Sequence, residues 1–515
     1  MKTFSRSGFH NLAVLAAAGL TPALASCQVT TSEKYSQPIL DASQVVIDID
    51  PGTPLPPFDF SARDQAFLDE VQHAAFLFFW NAVSEQTGMV LDRTGNDLVS
   101  VAGVGFQLSA MPIGVERGWI THRQGHDRAL QIVTNLRDHP DNRHKGLFFH
   151  FLDPSGVPHP RAYEHVVSTI DSAILFAGLL TASVYFGGEV AQIADTLFAE
   201  ADWTAFLAPE TEHPAYRGFV SLGWKADNPR HPEEGGKLLT LYWADAGGEH
   251  RLITFLGACA TRPEHRLSAE CYYKLRRPLG QYRDIGPMFC FPYSGALFTS
   301  VTDNCWIDYR AMAPDNPASF GYPQRARINW WEDARRHVLM HRAKAIENPL
   351  GLRTPGPNAW GLSASDGPGG YYVSHLHPDR IPLPNARDDF DVPPADHAYV
   401  EQWNDGVIAP YSAGSAIMFE PQPAIDALRH YRALTGSDGQ PLVWRDPAYG
   451  GYGFLDAYTL DTKTGEPWVA TDFVSIDQGP LILGIENART GLIWRLFQAH
   501  PGIREGIKRL GLERR

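Results

Sequence analysis

The chain has 515 residues and a net charge of −14, from 44 basic and 58 acidic residues. This acidic balance argues against nucleic acid as a partner, because phosphates bind basic surfaces, and less firmly against a polyanionic substrate. The 13 Trp, 19 Tyr and 27 Phe fit either a large core or the flat apolar faces of sugar rings. No charged spacer, repeat or low-complexity block divides residues 60–515, so we expect a single domain at 59–515.

The first residues predict export. Lys2 and Arg6 precede an apolar run at 12–20 that is too short to span a bilayer, which is typical of a signal peptide. The sequence LASC ending at Cys27 resembles the signal of bacterial lipoproteins. That resemblance implies cleavage before Cys27, lipid on its thiol, and a place in the periplasm or at the outer membrane; an ordinary signal peptide is the alternative. Residues 28–58 are polar and Pro-rich, which predicts a flexible tether.

Four cysteines follow the leader: Cys259, Cys271, Cys290 and Cys305. An exported protein meets an oxidising compartment, so two disulfides with three alternative connectivities can be expected. No Cys or His spacing predicts a zinc site, and we expect no cofactor.

Apolar residues recur at helical spacing through most of the chain. The segment 168–186 is apolar almost all round, as is typical of a helix buried between layers. Alternating strand patterns are scarce, and Gly/Pro-rich loops carry many Trp, Tyr, Asp and His, above all at 350–420. An all-α fold, an α/α toroid with these loops at one end, is therefore expected. The other helical segments are 61–82, 124–138, 189–207, 249–260, 329–347, 423–434 and 478–498.

Carboxylates in the Gly- and aromatic-rich segments are the candidates for chemistry, because hydrolysis of a glycosidic bond uses two carboxyl groups. These carboxylates can also have purely structural roles. Asp171 can complete a capping box with Ser168, and Glu249 can favour the positive end of its helix. Asp366 and Asp405 precede Gly and can be turn residues. The candidates are Glu116, Asp171, Glu249, Asp308, Glu332, Asp366, Asp405, Asp477 and Glu486; Glu486, in apolar surroundings, needs a partner such as Arg489 or a sugar hydroxyl.

Nine segments, in this order, resemble the glucoamylase-like family of bacterial glycoside hydrolases, which includes endo-β-1,2-glucanases and sophorose-releasing relatives. The resemblance covers residues 70–512 and implies an (α/α)6 toroid, no metal requirement, and hydrolysis of a β-glucan, β-1,2-linked, with inversion. The segments are GVGFQLSAMPIGVERGWIT, GLFFHFLD, STIDSAILFAGLL, LFTSVTDNCWIDYR, ENP, WGLSASDGPGGYY, DGVIAPYSAGSAIMFEP, GGYGFLDAY and IDQGPLILGIENARTGLIW.

The resemblance also implies roles for residues. Glu249 resembles the acidic residue of the family's NEA segment and is the candidate general acid. Asp171 is its candidate partner, as base or in a water relay; these roles can be exchanged, and Asp366 or Asp405 is an alternative base. The residues expected to line sugar subsites are Glu116, Arg117, His150, Trp306, Asp308, Arg310, Trp360, Asp366, Asp405, Asp477 and Glu486.

Departures from the family pattern keep two other functions open. Val166 stands where an acidic residue is often found, and GACATRPEH and SVTDN replace segments that usually read LGSPTHP and HQYSH. A non-catalytic glycan-binding lipoprotein is one alternative. The other is a polysaccharide lyase with His150 or Tyr309 as base, which the acidic motifs oppose. The sequence does not fix the oligomeric state.

Overall fold

The computed structural model describes residues 41–159, 165–226, 235–292, 294–380 and 399–515. The predicted signal peptide, Cys27 and the tether up to residue 40 lie outside this part of the chain. The described α-helices are α1 (Ala62–Asn81), α2 (Val101–Glu116), α3 (His122–Asp138), α4 (Thr169–Phe186), α5 (Gly188–Glu200), α6 (Gly248–Cys259), α7 (Ala269–Lys274), α8 (Phe298–Val301), α9 (Trp330–Glu347), α10 (Pro410–Ser415), α11 (Pro421–Ala433), α12 (Ser475–Arg489), α13 (Leu492–Ala499) and α14 (Pro501–Arg509).

Strands are short and pair in small ribbons between the helices, so the fold is mostly helical, as predicted. The described strands are β1 (Val46–Ile47), β2 (Val99–Ser100), β3 (Arg143–His144), β4 (Leu147–Phe148), β5 (Phe151–Leu152), β6 (Val166–Ser168), β7 (Val220–Ser221), β8 (Gly223–Lys225), β9 (Lys237–Leu238), β10 (Tyr242–Trp243), β11 (Leu279–Gln281), β12 (Pro287–Phe289), β13 (Arg327–Ile328), β14 (Ala364–Gly367), β15 (Gly370–Val373), β16 (Asp379–Arg380), β17 (Trp444–Arg445), β18 (Gly453–Phe454), β19 (Tyr458–Thr459) and β20 (Trp468–Val469).

Helix α4 is the central element of the core. Its sequence is apolar on every side, and its residues from Thr169 to Ser183 are all buried. It is long and apolar enough to cross a membrane, but 83% of it is buried inside the protein. The prediction of a helix buried between layers is therefore confirmed.

Helices α2 and α4 run parallel and touch backbone to backbone. A Cβ on Gly178 would lie 2.0 Å from the carbonyl oxygen of Gly105, and a Cβ on Gly105 would lie 2.2 Å from that of Ile174. At the other end of the pair the hydroxyl of Tyr185 donates to Glu116. Small residues at the contact thus set the spacing of the two helices.

The same direction is shared by α12 and α10. Gly103 and Ser475 touch near the starts of α2 and α12, and Arg117 and Glu486 pair near their ends. Gly414 of α10 faces Leu481 of α12. The starts of these helices therefore lie at one end of the molecule. The start of α6 joins them, because the indole of Trp243 donates to the Thr169 hydroxyl at 2.8 Å.

The last part of the predicted tether belongs to the folded body. Strand β1 pairs in parallel with β13, and Ile47 is completely buried. The amide of Phe58 donates to the carbonyl of Ala488 at 2.8 Å. The prediction of a flexible segment is therefore wrong for residues 46–58, because apolar side chains and backbone donors there find partners on the domain.

No two-disulfide arrangement forms. Cys259, Cys271 and Cys305 are unpaired thiols, and all four predicted disulfide candidates are buried in the described structure. Burial raises the pKa of the Cys259 and Cys305 thiols well above their ordinary value. These side chains act as small apolar residues of the core.

Candidate active site

Three carboxyl groups lie in the first turns of the helices that begin at the shared end. They are Asp171 of α4, Glu249 of α6 and Asp477 of α12. The positive end of a helix dipole favours the charged form of a carboxyl group. Any of these groups that is neutral near pH 7 must therefore be held so by a stronger effect.

Glu249 is such a group. The residue is partly buried, but its Oε2 is enclosed and has no hydrogen-bond partner. Burial, and then the negative charge of Asp171, raise the pKa of Glu249 to about 8. Loss of water and a like charge thus outweigh the helix dipole, and the carboxyl is protonated at neutral pH.

Asp171 is held by two neighbours. The Ser168 hydroxyl donates to its Oδ2 and accepts from its amide at 3.3 Å, so the predicted cap of α4 is present. His150 Nε2 lies 3.5 Å from its Oδ1, and the His150 ring stacks on Phe151. Asp171 is therefore bonded to the N-cap Ser168 and also interacts through its charge with Glu249, so the structural and the functional interpretation are compatible.

Among the described residues, the cations close to Glu249 in sequence are already paired with carboxylates. Arg251 donates to both oxygens of Asp303 at 2.8 Å. Arg276 pairs with Asp245 at 2.6 Å. Burial lowers the pKa of His250 to about 3, so this imidazole is neutral. The result is a set of charge-balanced ion pairs around a protonated carboxyl.

A second group of carboxyls lies at the same end. Arg93 Nη1 pairs with Asp366 Oδ2 at 2.8 Å, and the amide of Asp366 donates to Asp456 Oδ2 at 2.7 Å. Burial raises the pKa of Asp456 to about 7 and holds that of Asp477 well above its usual range. Asp456 and Asp477 are both buried near the single cation of Arg93, so this pair retains a proton at neutral pH.

Sequence reasoning placed Asp366 and Asp477 in the site but missed Asp456 and Arg93. Asp456 sits in the segment GGYGFLDAY, where the local pattern of Gly and aromatics around an acid was the available signal. Arg93 follows Asp92 in an ordinary polar stretch, and nothing local distinguishes it.

Glu116, Arg117 and Glu486 lie at the opposite end of the helices. Tyr185, the partner of Glu116, is about 21 Å along α4 from Asp171 at about 1.5 Å per residue. Arg117 donates to Glu486 Oε2 at 2.8 and 2.9 Å. These three residues therefore lie far from Asp171, and Glu486 is paired with Arg117 rather than with Arg489.

Five further residues that were expected to line sugar subsites have structural roles in the core, in an ion pair or in a turn. Trp306 and Trp360 are fully buried in the core. Asp308 pairs with Arg310 at 2.9 Å, and Arg310 also donates to a backbone carbonyl of the docked N-terminal segment. Asp405 is exposed in a turn with φ of 55°. These positions do not join the two carboxyl groups described above.

Across 41–159, 165–226, 235–292, 294–380 and 399–515, no cluster of three or more His, Cys, Asp or Glu is arranged to hold a metal ion. The carboxyl groups described above offer the chemistry of a pair in which one member is protonated and the other is held by hydrogen bonds.

Comparison with known proteins identifies the relatives of this arrangement. Residues 242–501, about half of the chain, match the family described as "Putative glucoamylase". The chain belongs to this glucoamylase-like family. An exo β-1,2-glucooligosaccharide sophorohydrolase (non-reducing end) of Parabacteroides distasonis is 26% identical in an alignment of 479 positions that covers 88% of this chain. This glucoamylase-like protein spans only 58% of that relative's length.

Solved structures show the same fold. A "putative glucoamylase" from Bacteroides uniformis is 26% identical, with a TM-score of 0.69 over 88% of this chain and 99% of that one. The endo-β-1,2-glucanase of Chitinophaga pinensis, solved with sophorotriose and glucose, is 23% identical, with a TM-score of 0.68 over 88% and 98% of the two chains. The glucoamylase-like protein therefore shares its architecture with both.

Proposed function

We propose that this protein is a glycoside hydrolase that cleaves β-1,2-linked glucan, or oligosaccharides derived from it, with inversion at the anomeric carbon. One observation carries the proposal: Glu249 is a carboxyl kept protonated by burial, and it interacts directly with the charge of a second carboxyl, Asp171. Such a pair is what hydrolysis of a glycosidic bond uses.

In the proposed mechanism, Glu249 gives its proton to the glycosidic oxygen as the bond from that oxygen to the anomeric carbon breaks. A water molecule attacks the anomeric carbon from the opposite face, and its proton passes to Asp171. Ser168 and His150 position the Asp171 carboxylate that accepts this proton. Inversion requires room for the water, with the two carboxyls about 6.5–9.5 Å apart.

The choice of substrate is supported by the relatives. The related protein of Parabacteroides distasonis is named for β-1,2-glucooligosaccharides, and the structural neighbour from Chitinophaga pinensis for β-1,2-glucan. The acidic balance of the chain agrees with a neutral polysaccharide rather than a polyanion.

We also propose that the helices form the (α/α)6 toroid that the family resemblance implies. The support is a series of neighbours in which α10 contacts α12, α12 contacts α2, α2 contacts α4 and α4 contacts α6. Of these, α2, α4, α10 and α12 point the same way, and α1 and α5 contact α12 and α4. Residues 59–515 then form one catalytic domain.

Export as a lipoprotein remains a proposal that rests on the sequence around Cys27. Mass spectrometry of the membrane fraction should show a mature chain that begins at Cys27 and carries lipid. A chain that retains Met1 would contradict it.

The decisive experiment incubates the purified domain with linkage-defined glucans and follows reducing ends. We expect release from β-1,2-glucan, with the first product in the α-anomeric form by NMR. Binding without any reducing ends would instead indicate a glycan-binding protein. An unsaturated product that absorbs in the near ultraviolet would indicate a lyase.

A further inference from the structure

A groove of about 830 Å³ lies outside both carboxyl groups. It is formed by the residues that follow α11, by β17 and the turn after it, and by β20. Its size is within the range of small-ligand sites, about 300–1,000 Å³. Nothing in the proposed mechanism uses it.

The groove adjoins the second carboxyl group. Strand β20 carries Trp468 into the groove wall and leads to Asp472, whose carbonyl accepts from the amide of Asp456 at 3.2 Å. Asp472 itself lies 3.8 Å from Arg93. Strand β20 therefore connects the groove wall to the second group of carboxyls.

Two aromatic side chains are presented to solvent at this groove. Tyr449 is 92% exposed, the most exposed large apolar side chain in the described structure. The turn that carries Tyr449 is nevertheless held by hydrogen bonds. The Asp446 carboxylate caps the turn at Ala448 (2.8 Å), and three backbone bonds from Tyr449, Gly450 and Gly451 close it. Trp468 is partly exposed on the paired strand β20.

The charged side chains of the groove favour a neutral ligand. Arg432 is paired with Glu70 at 3.1 Å and lies over the Trp444 ring. One nitrogen of Arg445 donates to three backbone carbonyls within 3.2 Å. Both guanidinium groups thus already hydrogen-bond to protein oxygens, and Asp438 and Glu466 add negative charges and oxygens that accept from hydroxyl groups.

We propose that this groove is a second carbohydrate-binding site, which holds a neutral glucan chain away from the bond being cleaved. Tyr449 and Trp468 would stack on the C–H faces of sugar rings, and the surrounding acids would accept from their hydroxyls. The choice of glucan rests on the proposed function. The consequence is a preference for long substrates, because only a longer chain gains from occupying the groove as well as the cleavage site.

The test compares the wild-type domain with the double variant Tyr449→Ala/Trp468→Ala on β-1,2-glucan polymer and on its trisaccharide. We expect KM for the polymer, and its Kd by calorimetry, to rise at least about fivefold. The kcat for both substrates and KM for the trisaccharide should stay unchanged. Tyr185→Ala removes a partly exposed aromatic at the opposite end and should alter none of these values.

Unchanged polymer binding in the folded double variant would overturn the groove proposal, as would an equal loss on polymer and trisaccharide. The outcome is separable from that of the proposed function. If the wild-type domain binds polymer through the groove but cleaves no glucan, the groove proposal stands and the proposed hydrolase function is overturned. Tight binding of a peptide in the groove, with no glucan binding, would overturn the groove as a sugar site.

Discussion

At the scale of single residues, Glu249 shows how burial can reverse the preference of a helix terminus. The first turn of α6 favours a charged carboxylate, but an enclosed Oε2 and a neighbouring Asp171 hold the proton. Glu249→Gln keeps the shape and the neutral state, so it should fold normally. Turnover should fall by at least about two orders of magnitude. Initial rates on β-1,2-glucan test this, with the exposed surface acid variant Glu505→Gln as control; near-wild-type turnover would refute the role.

The raised pKa of Glu249 also predicts two dependences on pH. An acid catalyst must be protonated, so kcat/KM should fall as pH rises through about 8. The folded-state pKa is above the ordinary value of 4.5, so the native state binds the extra proton. The contribution of the Glu249 carboxyl to the free energy of unfolding is fully present below about pH 4.5 and is lost as pH rises toward 8. Wild type should therefore lose stability relative to Glu249→Gln over this range, as measured by urea unfolding; parallel pH curves would contradict it.

Asp171 is bonded to the N-cap of α4 and also carries the negative charge that acts on Glu249. Asp171→Asn keeps most of the shape but removes the proton acceptor, so we expect a loss of at least about two orders of magnitude in turnover. Ser168→Ala is the matched control, because it removes the cap and should cost about 1 kcal/mol of stability with a smaller loss of activity. If Asp171→Asn lost only about 1 kcal/mol and stayed active, the residue would be a cap alone.

At the scale of elements, the contact between α2 and α4 depends on the absence of side chains. Gly178→Ala would place a methyl group 2.0 Å from the Gly105 carbonyl oxygen, so the helices must move apart. We expect a loss of about 1–3 kcal/mol or more in the free energy of unfolding. Gly356→Ala is the control, since a Cβ there meets nothing within 4 Å. Equal stability of the two variants would show that the helix contact is not tight.

At the scale of the whole molecule, the two ends of the parallel helices have different roles, one in the proposed chemistry and the other in stability. One end contains acids that retain protons, and at the other end the buried Glu486 pairs with the partly buried Arg117. Arg117→Met leaves Glu486 without its cation and should cost about 3–5 kcal/mol. The folded variant should keep wild-type KM on glucan. Arg123→Met breaks an exposed pair with Asp127 and should change stability by less than about 1 kcal/mol. A raised KM with unchanged stability would return Arg117 to the sugar site.

Much of the fold could be read from local patterns. Helical spacing and Ser61 predicted α1, and a run of apolar residues predicted that α4 is buried. The order of motifs predicted the family, because nine segments in register constrain a fold more than any single one. Glu249 and Asp171 were also within reach, since each stands in a Gly-rich or capping sequence at a helix start.

What the sequence by itself determined was therefore the helical class, the family, and two acids at helix starts. Only the tertiary structure decided which acids keep their protons and which residues merely support the fold. Arg93 meets Asp366 across 273 positions, and Arg117 meets Glu486 across 369. The charge state and partner of a buried group depend on what lies against it, and segments this far apart in the chain become neighbours only when the helices pack.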